Sequence, residues 1–248
     1  MMKRMWLQGR RGVLGLAVAA ALLAPATAQA QITRVSSSDH RQAIGFNIGY
    51  FWLKAEESRV AHDVLVTDLD SLAFNIKDFN SVSFGGEWLF SPNEFVEAGV
   101  GLGFQQRTVP SIYRSYVNAN GSEIAQDLKL RVVPVTATVR FLPVGRGAVE
   151  PYVGAGIGIF NWRYSEVGQF LDLSDFSIFR DRYVADGTAI GPVVVAGVRA
   201  PLADVWAIGG EVRYQKAQGD TKPETSRLLD SKIDLGGWTA NFTFQLRF

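Results

Sequence analysis

From Asp234 to Phe248 the chain alternates with a period of two. Even positions carry Trp238, Ala240, Phe242, Phe244, Leu246 and Phe248, and odd positions carry Thr239, Asn241, Thr243, Gln245 and Arg247. Successive side chains point to opposite faces of a β-strand, so this segment predicts a strand that is apolar on one face and polar on the other. The same split recurs in four more segments. Residues 43–53 set Ile44, Phe46, Ile48, Tyr50 and Trp52 against Gly45, Asn47 and Gly49. Residues 81–90 set Val82, Phe84, Trp88 and Phe90 against Ser81, Ser83, Gly85 and Glu87. Residues 95–107 set Val96, Ala98, Val100, Leu102 and Phe104 against Glu97, Gln105, Arg107 and three glycines. Residues 205–216 set Trp206, Ile208, Val212 and Tyr214 against Glu211, Arg213 and Gln215.

Three further segments follow the rule less cleanly. In 127–142, Leu128, Leu130 and Val132 begin an apolar face that Val133, Val135, Ala137, Val139 and Phe141 continue one residue out of phase. A one-residue slip near Val133-Pro134 predicts a β-bulge, which would also accommodate the proline. Segment 150–164 sets Val153, Ala155, Ile157 and Ile159 against Gly154, Gly156 and Gly158, and is ambiguous from Phe160 to Tyr164. Segment 187–200 is blurred by Val193 and Val195. The total is eight strands. Their connections alternate between short (91–94, 143–149, 201–204) and long (55–80, 108–126, 165–186, 217–231). Pairing the first strand with the last would close the sheet and remove its edges. The apolar face then packs on a core in a soluble protein, or meets lipid in a membrane barrel.

The N-terminus changes the picture. Lys3, Arg4, Arg10 and Arg11 precede an apolar run, Gly12 to Ala24, and the small-x-small triplet Ala28-Gln29-Ala30 follows. This order predicts a secretory signal peptide over residues 1–30, cut after Ala30. The apolar run is shorter than the ~20 residues a spanning helix needs, and no longer one follows. Removing the leader lowers the formal charge of the 248-residue chain from +1 to −3, which does not suit nucleic acid as a partner. The chain has no Cys and two His, so a disulfide framework, a thiolate zinc site and a multi-histidine metal site are not expected.

With its terminal aromatic run Ala240, Phe242, Phe244, Leu246 and Phe248, and its stretch Glu150-Pro151-Tyr152-Val153-Gly154-Ala155-Gly156-Ile157-Gly158, the chain over 41–248 resembles the eight-stranded outer-membrane β-barrels. These are the OmpA-like barrel domain, OmpX and the opacity-type surface antigens. The resemblance implies an all-β, antiparallel, up-and-down transmembrane β-barrel in the bacterial outer membrane, with residues 31–40 as a short periplasmic segment. It implies outer-membrane lipid and lipopolysaccharide as surroundings, and the barrel-assembly machinery as the reader of Phe244, Leu246 and Phe248 during biogenesis. No peptidoglycan-binding domain follows Phe248, so the wall-tethering role of the OmpA-like proteins is not expected.

An eight-stranded barrel is just wide enough for side chains to fill it. The polar faces contribute Glu87, Glu97 and Glu211 with Arg140, Arg199, Arg213 and Arg247. Enclosed charges of both signs should pair, since an unpaired buried charge is costly, and the expectation is a charged plug rather than a porin-like path. A narrow ion or small-solute channel is the alternative. Trp52, Trp88, Trp206, Trp238, Tyr50 and Tyr214 suit interfacial aromatic girdles. The acidic residues of loops 55–80 and 165–186 read as a solvated face open to an extracellular partner, with divalent-cation binding an alternative. Loop 165–186 also holds Phe170, Leu171, Leu173, Phe176, Ile178 and Phe179. They predict a strand extension, a fold-back over the mouth, or a sticky surface. Lipid-modifying catalysis would have only His62, with Ser58, Ser71 and Asp63 nearby in sequence, and no motif matches. No catalytic residues, metal or cofactor are expected; the role expected is structural or in surface interaction.

Overall fold

The computed structural model describes residues 40–172 and 174–248. The leader over 1–30, and all of 31–40 but His40, lie outside the described residues. Eight antiparallel strands form a closed barrel: β1 (Gln42–Leu53), β2 (Ser81–Phe90), β3 (Val96–Val117), β4 (Glu123–Phe141), β5 (Glu150–Leu171), β6 (Ile178–Pro201), β7 (Trp206–Gln215) and β10 (Gly237–Arg247). Each pairs with its neighbour in sequence, and β1 pairs with β10 to complete the ring. A separate two-stranded ribbon joins β8 (Gln218–Asp220) to β9 (Lys232–Asp234). Among the described residues no helix is long and apolar enough to cross a membrane.

The strands begin and end at two unlike ends. At the turn end, short connections join β2 to β3, β4 to β5 and β6 to β7, and the ring closes where the Phe248 N–H donates to the Gln42 carbonyl at 2.9 Å. At the cap end, the connection after β1 folds into one α-helix, α1 (Val64–Ser71), between two 3-10 turns, Glu56–Ser58 and Ile76–Phe79. Two connections expected to be long loops are strand instead. Most of 108–126 extends β3 and β4, and most of 165–186 extends β5 and β6 through the pair Leu171–Ile178. Of the three readings of loop 165–186, strand extension is the one observed.

Toward the turn end the exterior is apolar and the interior polar. Phe46, Leu102, Ile157 and Phe242 are more than half exposed on the outside, while Thr138, Asn241, Thr243 and Gln245 are buried within. Aromatics mark both borders of this band. Tyr50 and Trp52 meet edge to face and Tyr214 and Trp238 pack at a tilt toward the cap, and Trp206 stacks on Phe244 toward the turns. An exterior of this kind needs hydrocarbon as its solvent.

Above the band the polarity exchanges. On β5 the outward residues run Val153, Ala155, Ile157, Ile159 and then Asn161, Arg163; the inward residues run Gly154, Gly156, Gly158 and then Phe160, Trp162, Tyr164. On β4, Leu128, Leu130 and Val132 point inward and are buried, while Lys129 and Arg131 point out. The bulge expected near Val133-Pro134 is therefore absent. Pairing with β3 lapses around Pro134, which has no N–H to give, and resumes in the same register on the other side. The apparent slip is one unbroken strand passing from lipid to water. The inward residues above the band join Val64, Leu65, Phe79, Ile233 and Leu235 in a dry core. Each such fully buried side chain contributes about 1.5–3 kcal/mol. Val193, and the glycine Gly158 whose added Cβ would meet the Phe160 ring at 2.6 Å, mark the seam between the two interiors.

Helix α1 forms because Asp63 caps it, its carboxylate accepting the Leu65 N–H at 3.0 Å. The Arg114 side chain closes the other end by donating to the Leu69 and Leu72 carbonyls. Val64 and Asp68 stand four residues apart and so share the buried face. Leu128→Ala should cost roughly 2–5 kcal/mol, paid in the cap alone. Limited proteolysis of the chain in lipid vesicles should cut 54–80 faster while the apolar band stays protected; unchanged cleavage would contradict the dry core.

Candidate functional site

The lumen residues expected from the sequence lie in one network within the apolar band. Parity turns them inward, and antiparallel register sets Glu97 opposite Arg140 and Asn241 opposite Glu211. Arg140 reaches Glu87 on β2 at 2.5 Å, Glu211 on β7 at 3.1 Å and Glu97 on β3 at 3.6 Å. Arg199 meets Glu97 and Glu150, each at 2.7 Å. Arg213 pairs with Glu211 at 2.9 Å and Arg247 with Glu150 at 2.6 Å. Tyr152 donates to Glu211 at 3.1 Å, and the Arg140 guanidinium stands 5.0 Å from its ring centre. Gly197 lies under this tyrosine; an added Cβ there would meet its hydroxyl at 2.5 Å. At the turn end Arg146 donates to the His40 carbonyl and the Ser91 hydroxyl.

Two members escaped the sequence reading. Glu150 and Tyr152 stand next to a turn, before the alternation that starts at Val153, yet the even parity of β5 turns both inward. The network holds four arginines and four glutamates, and its formal charge is zero. A void of ≈ 20 Å³ remains beside Glu87, Arg213 and Asn241, room for about one water.

A second polar cluster lies in the cap, outside the band. Asp68 on α1 and Glu166 on β5 bring their carboxyl groups together, and Tyr164 donates to Asp68 at 2.8 Å. Burial pushes Glu166 up to about 7 and holds Asp68 well above the usual carboxylate range, with the Glu166 charge adding to the rise. These acids belong to the two loops read as solvated, as does Asp63, and all three are buried. Asp63 accepts from Arg59 at 2.9 Å and from the Asp234 N–H at 2.6 Å, tying the first connection to the last. The solvated reading therefore fails for Asp63, Asp68 and Glu166. No spacing rule could have singled them out, since one pair member rides a helix and the other a strand extension.

The remaining positions fall elsewhere. His62 is exposed, with Nδ1 at 3.5 Å from Asp230. Ser71 lines a cleft in the cap, whereas Asp63 is committed to Arg59. Phe244, Leu246 and Phe248 project outward at the turn end of β10. On the outer wall just above the apolar band, Lys129, Arg131, Arg163 and Arg182 surround a cleft of ≈ 110 Å³. None of the four forms a salt bridge among the described residues.

The family described as outer membrane protein beta-barrel domain matches residues 15–248. Comparison with the curated proteins gives no match. Among solved structures, Neisserial surface protein A is 12% identical, with 84% of this chain and 96% of that one covered and a TM-score of 0.47. OprG from Pseudomonas aeruginosa is 13% identical, with 84% and 96% covered and a TM-score of 0.44. Ail from Yersinia pestis, solved with the heparin analogue sucrose octasulfate, is 13% identical, with 84% and 99% covered and a TM-score of 0.40.

Arg140→Ala leaves Glu87 and Glu211 without their counter-ion and should destabilise the barrel by roughly 3–5 kcal/mol. Urea titration of folding in lipid vesicles measures this. Adding Glu87→Gln should recover part of the loss, and a loss below about 1 kcal/mol would mean the network is not desolvated.

Proposed function

The chain belongs to the outer membrane protein beta-barrel family, and from that premise we propose a closed barrel that acts at the envelope surface rather than by conduction or catalysis. The observation that carries the reading is the lumen: side chains from β2, β3, β4, β5, β6, β7 and β10 meet in a charge-neutral network. An ion on this path would have to part an arginine from a glutamate in a desolvated interior, which costs several kcal/mol. Residues 1–30 serve as the export signal, and Phe244, Leu246 and Phe248 present the outward aromatic edge that the assembly machinery reads.

The surface role has a partner of definite chemistry. Lys129, Arg131, Arg163 and Arg182 stand where the outward face first becomes polar, at the height of the outer-leaflet headgroups. Four cations there, none of them in a salt bridge and with Asp186 the acidic neighbour of Arg163 across the strands, suit the phosphates of lipopolysaccharide. The acidic residues still exposed, such as Asp172 and Asp175, repel other anions and keep the extracellular partner surface distinct from this wall.

Planar-bilayer recording tests closure. The expected result is a silent bilayer with folded protein present; stable conductance steps that vanish in Arg140→Ala would establish the narrow channel instead. A second experiment compares the Arg131→Gln, Arg163→Gln double variant with the parent. At about 1 kcal/mol per cation, lipopolysaccharide binding should weaken roughly thirtyfold while folding into phosphatidylcholine vesicles is unchanged. Equal binding by the two proteins would remove lipopolysaccharide as the partner of this wall.

A further inference from the structure

The cap holds a cleft that the closed-barrel reading does not use. Its volume is ≈ 450 Å³, within the range of small-molecule sites. Tyr113, Tyr116, Phe170, Phe179 and Tyr183 form its walls, and Asp68, Gln126 and Glu166 also line it. Phe170 and Tyr183 pack with ring centres 4.4 Å apart, which fixes part of the wall.

The buried polar atoms of its lining that lack a partner are of one kind. Asp68 Oδ1, Glu166 Oε1 and Gln126 Oε1 are buried acceptors with no hydrogen-bond partner. Buried acceptors without donors are rare and costly, and what satisfies them is a proton or a donor-rich cation. The lining carries Asp68, Asp70, Glu166 and Asp172 against a single cation, Arg227, which already faces Asp181 at 3.8 Å. Aromatic faces attract organic cations. A hard divalent ion takes six to eight oxygens, and among the described residues no group of three or more His, Cys, Asp or Glu side chains is placed to hold a metal.

We propose that the cap cleft binds a small primary ammonium with an apolar body, its N–H groups donating to Asp68 and Glu166 and its body lying against Phe170 and the tyrosines. The site stands apart from the lumen network and from the basic wall, so it holds or fails independently of them.

Binding is linked to a proton. In the empty site the two carboxyl groups retain one proton between them near neutral pH, for the reasons of burial given above. The groups facing them are Tyr164 on β5, Tyr113 on β3, Tyr183 on β6, Asp63 and Asp70 at the ends of α1, and Arg227. None supplies a second cation at the pair. An ammonium is matched only once Glu166 has lost its proton, while Asp68 keeps its own, so affinity should climb as pH rises through about 7 and level off above it.

Calorimetric titration of the full chain in lipid nanodiscs tests this with phenethylamine, 2-phenylethanol and calcium chloride. Phenethylamine should bind, and 2-phenylethanol about tenfold or more weakly. Amine affinity should rise by up to about tenfold per pH unit between pH 6 and 7. Glu166→Gln should weaken amine binding about tenfold and flatten the pH profile, with the heat-dependent gel shift confirming that the variant is folded. The wild-type profile and the amine-to-alcohol ratio need no variant. Equal binding of amine and alcohol, a flat wild-type profile, displacement of the amine by calcium, or no binding at all would each overturn the proposal.

Discussion

A strand that leaves hydrocarbon for water must exchange its apolar face, and this exchange organises the molecule. Below the level of Phe160 the outward residues of β3 to β6 meet lipid, and the interior can hold charge. Above it the same strands present Gln106, Arg131, Arg163 and Asp186 outward and Leu128, Leu130, Trp162 and Tyr164 inward. The hydrophobic effect acts in both halves and points in opposite directions. The long strands thus build a membrane barrel and a water-soluble one end to end, in a single hydrogen-bonded sheet, and α1 enters the second because only there is the inside apolar.

The two interiors solve the burial of charge differently. In the lumen each carboxylate has an arginine, and the pairs cross the barrel: Arg140 of β4 reaches β2 and β7, and Arg199 of β6 reaches β3. A one-residue slip of any strand would turn its charge outward into lipid, so the network fixes register as well as filling space. In the cap, Asp63 and Asp234 are matched by Arg59 and Lys54, whereas Asp68 and Glu166 have each other. That leaves a pair of buried carboxyl groups without a cation, and it opens to the solvent through an aromatic wall.

The sequence made the lower half legible because one rule, period two with constant phase, holds there. Trp238 to Phe248 and Ile44 to Trp52 obey it from end to end. The upper half follows the same period with the faces exchanged. Read with the lower-half rule, Val132-Val133 looks like a slip, Phe160 to Tyr164 looks ambiguous, and the extensions past Arg107 and Ser165 look like loops. Hydrophobic counting cannot distinguish a phase change from a change of solvent; hydrogen-bond register can. The arginines and glutamates of the lumen were readable because parity alone turns them inward. Asp68 and Glu166 were not, because their meeting depends on where a short helix inserts, which is tertiary information.

The account turns on the height at which the outside of the sheet passes from lipid to water. The chain has no cysteine, so single cysteines placed along β5 in lipid vesicles report it directly through a membrane-impermeant thiol reagent. Protection at Val153, Ile157 and Ile159 with labelling at Asn161 and Arg163 is the result the account predicts. Protection continuing through Arg163, or labelling at Ile157, would contradict it.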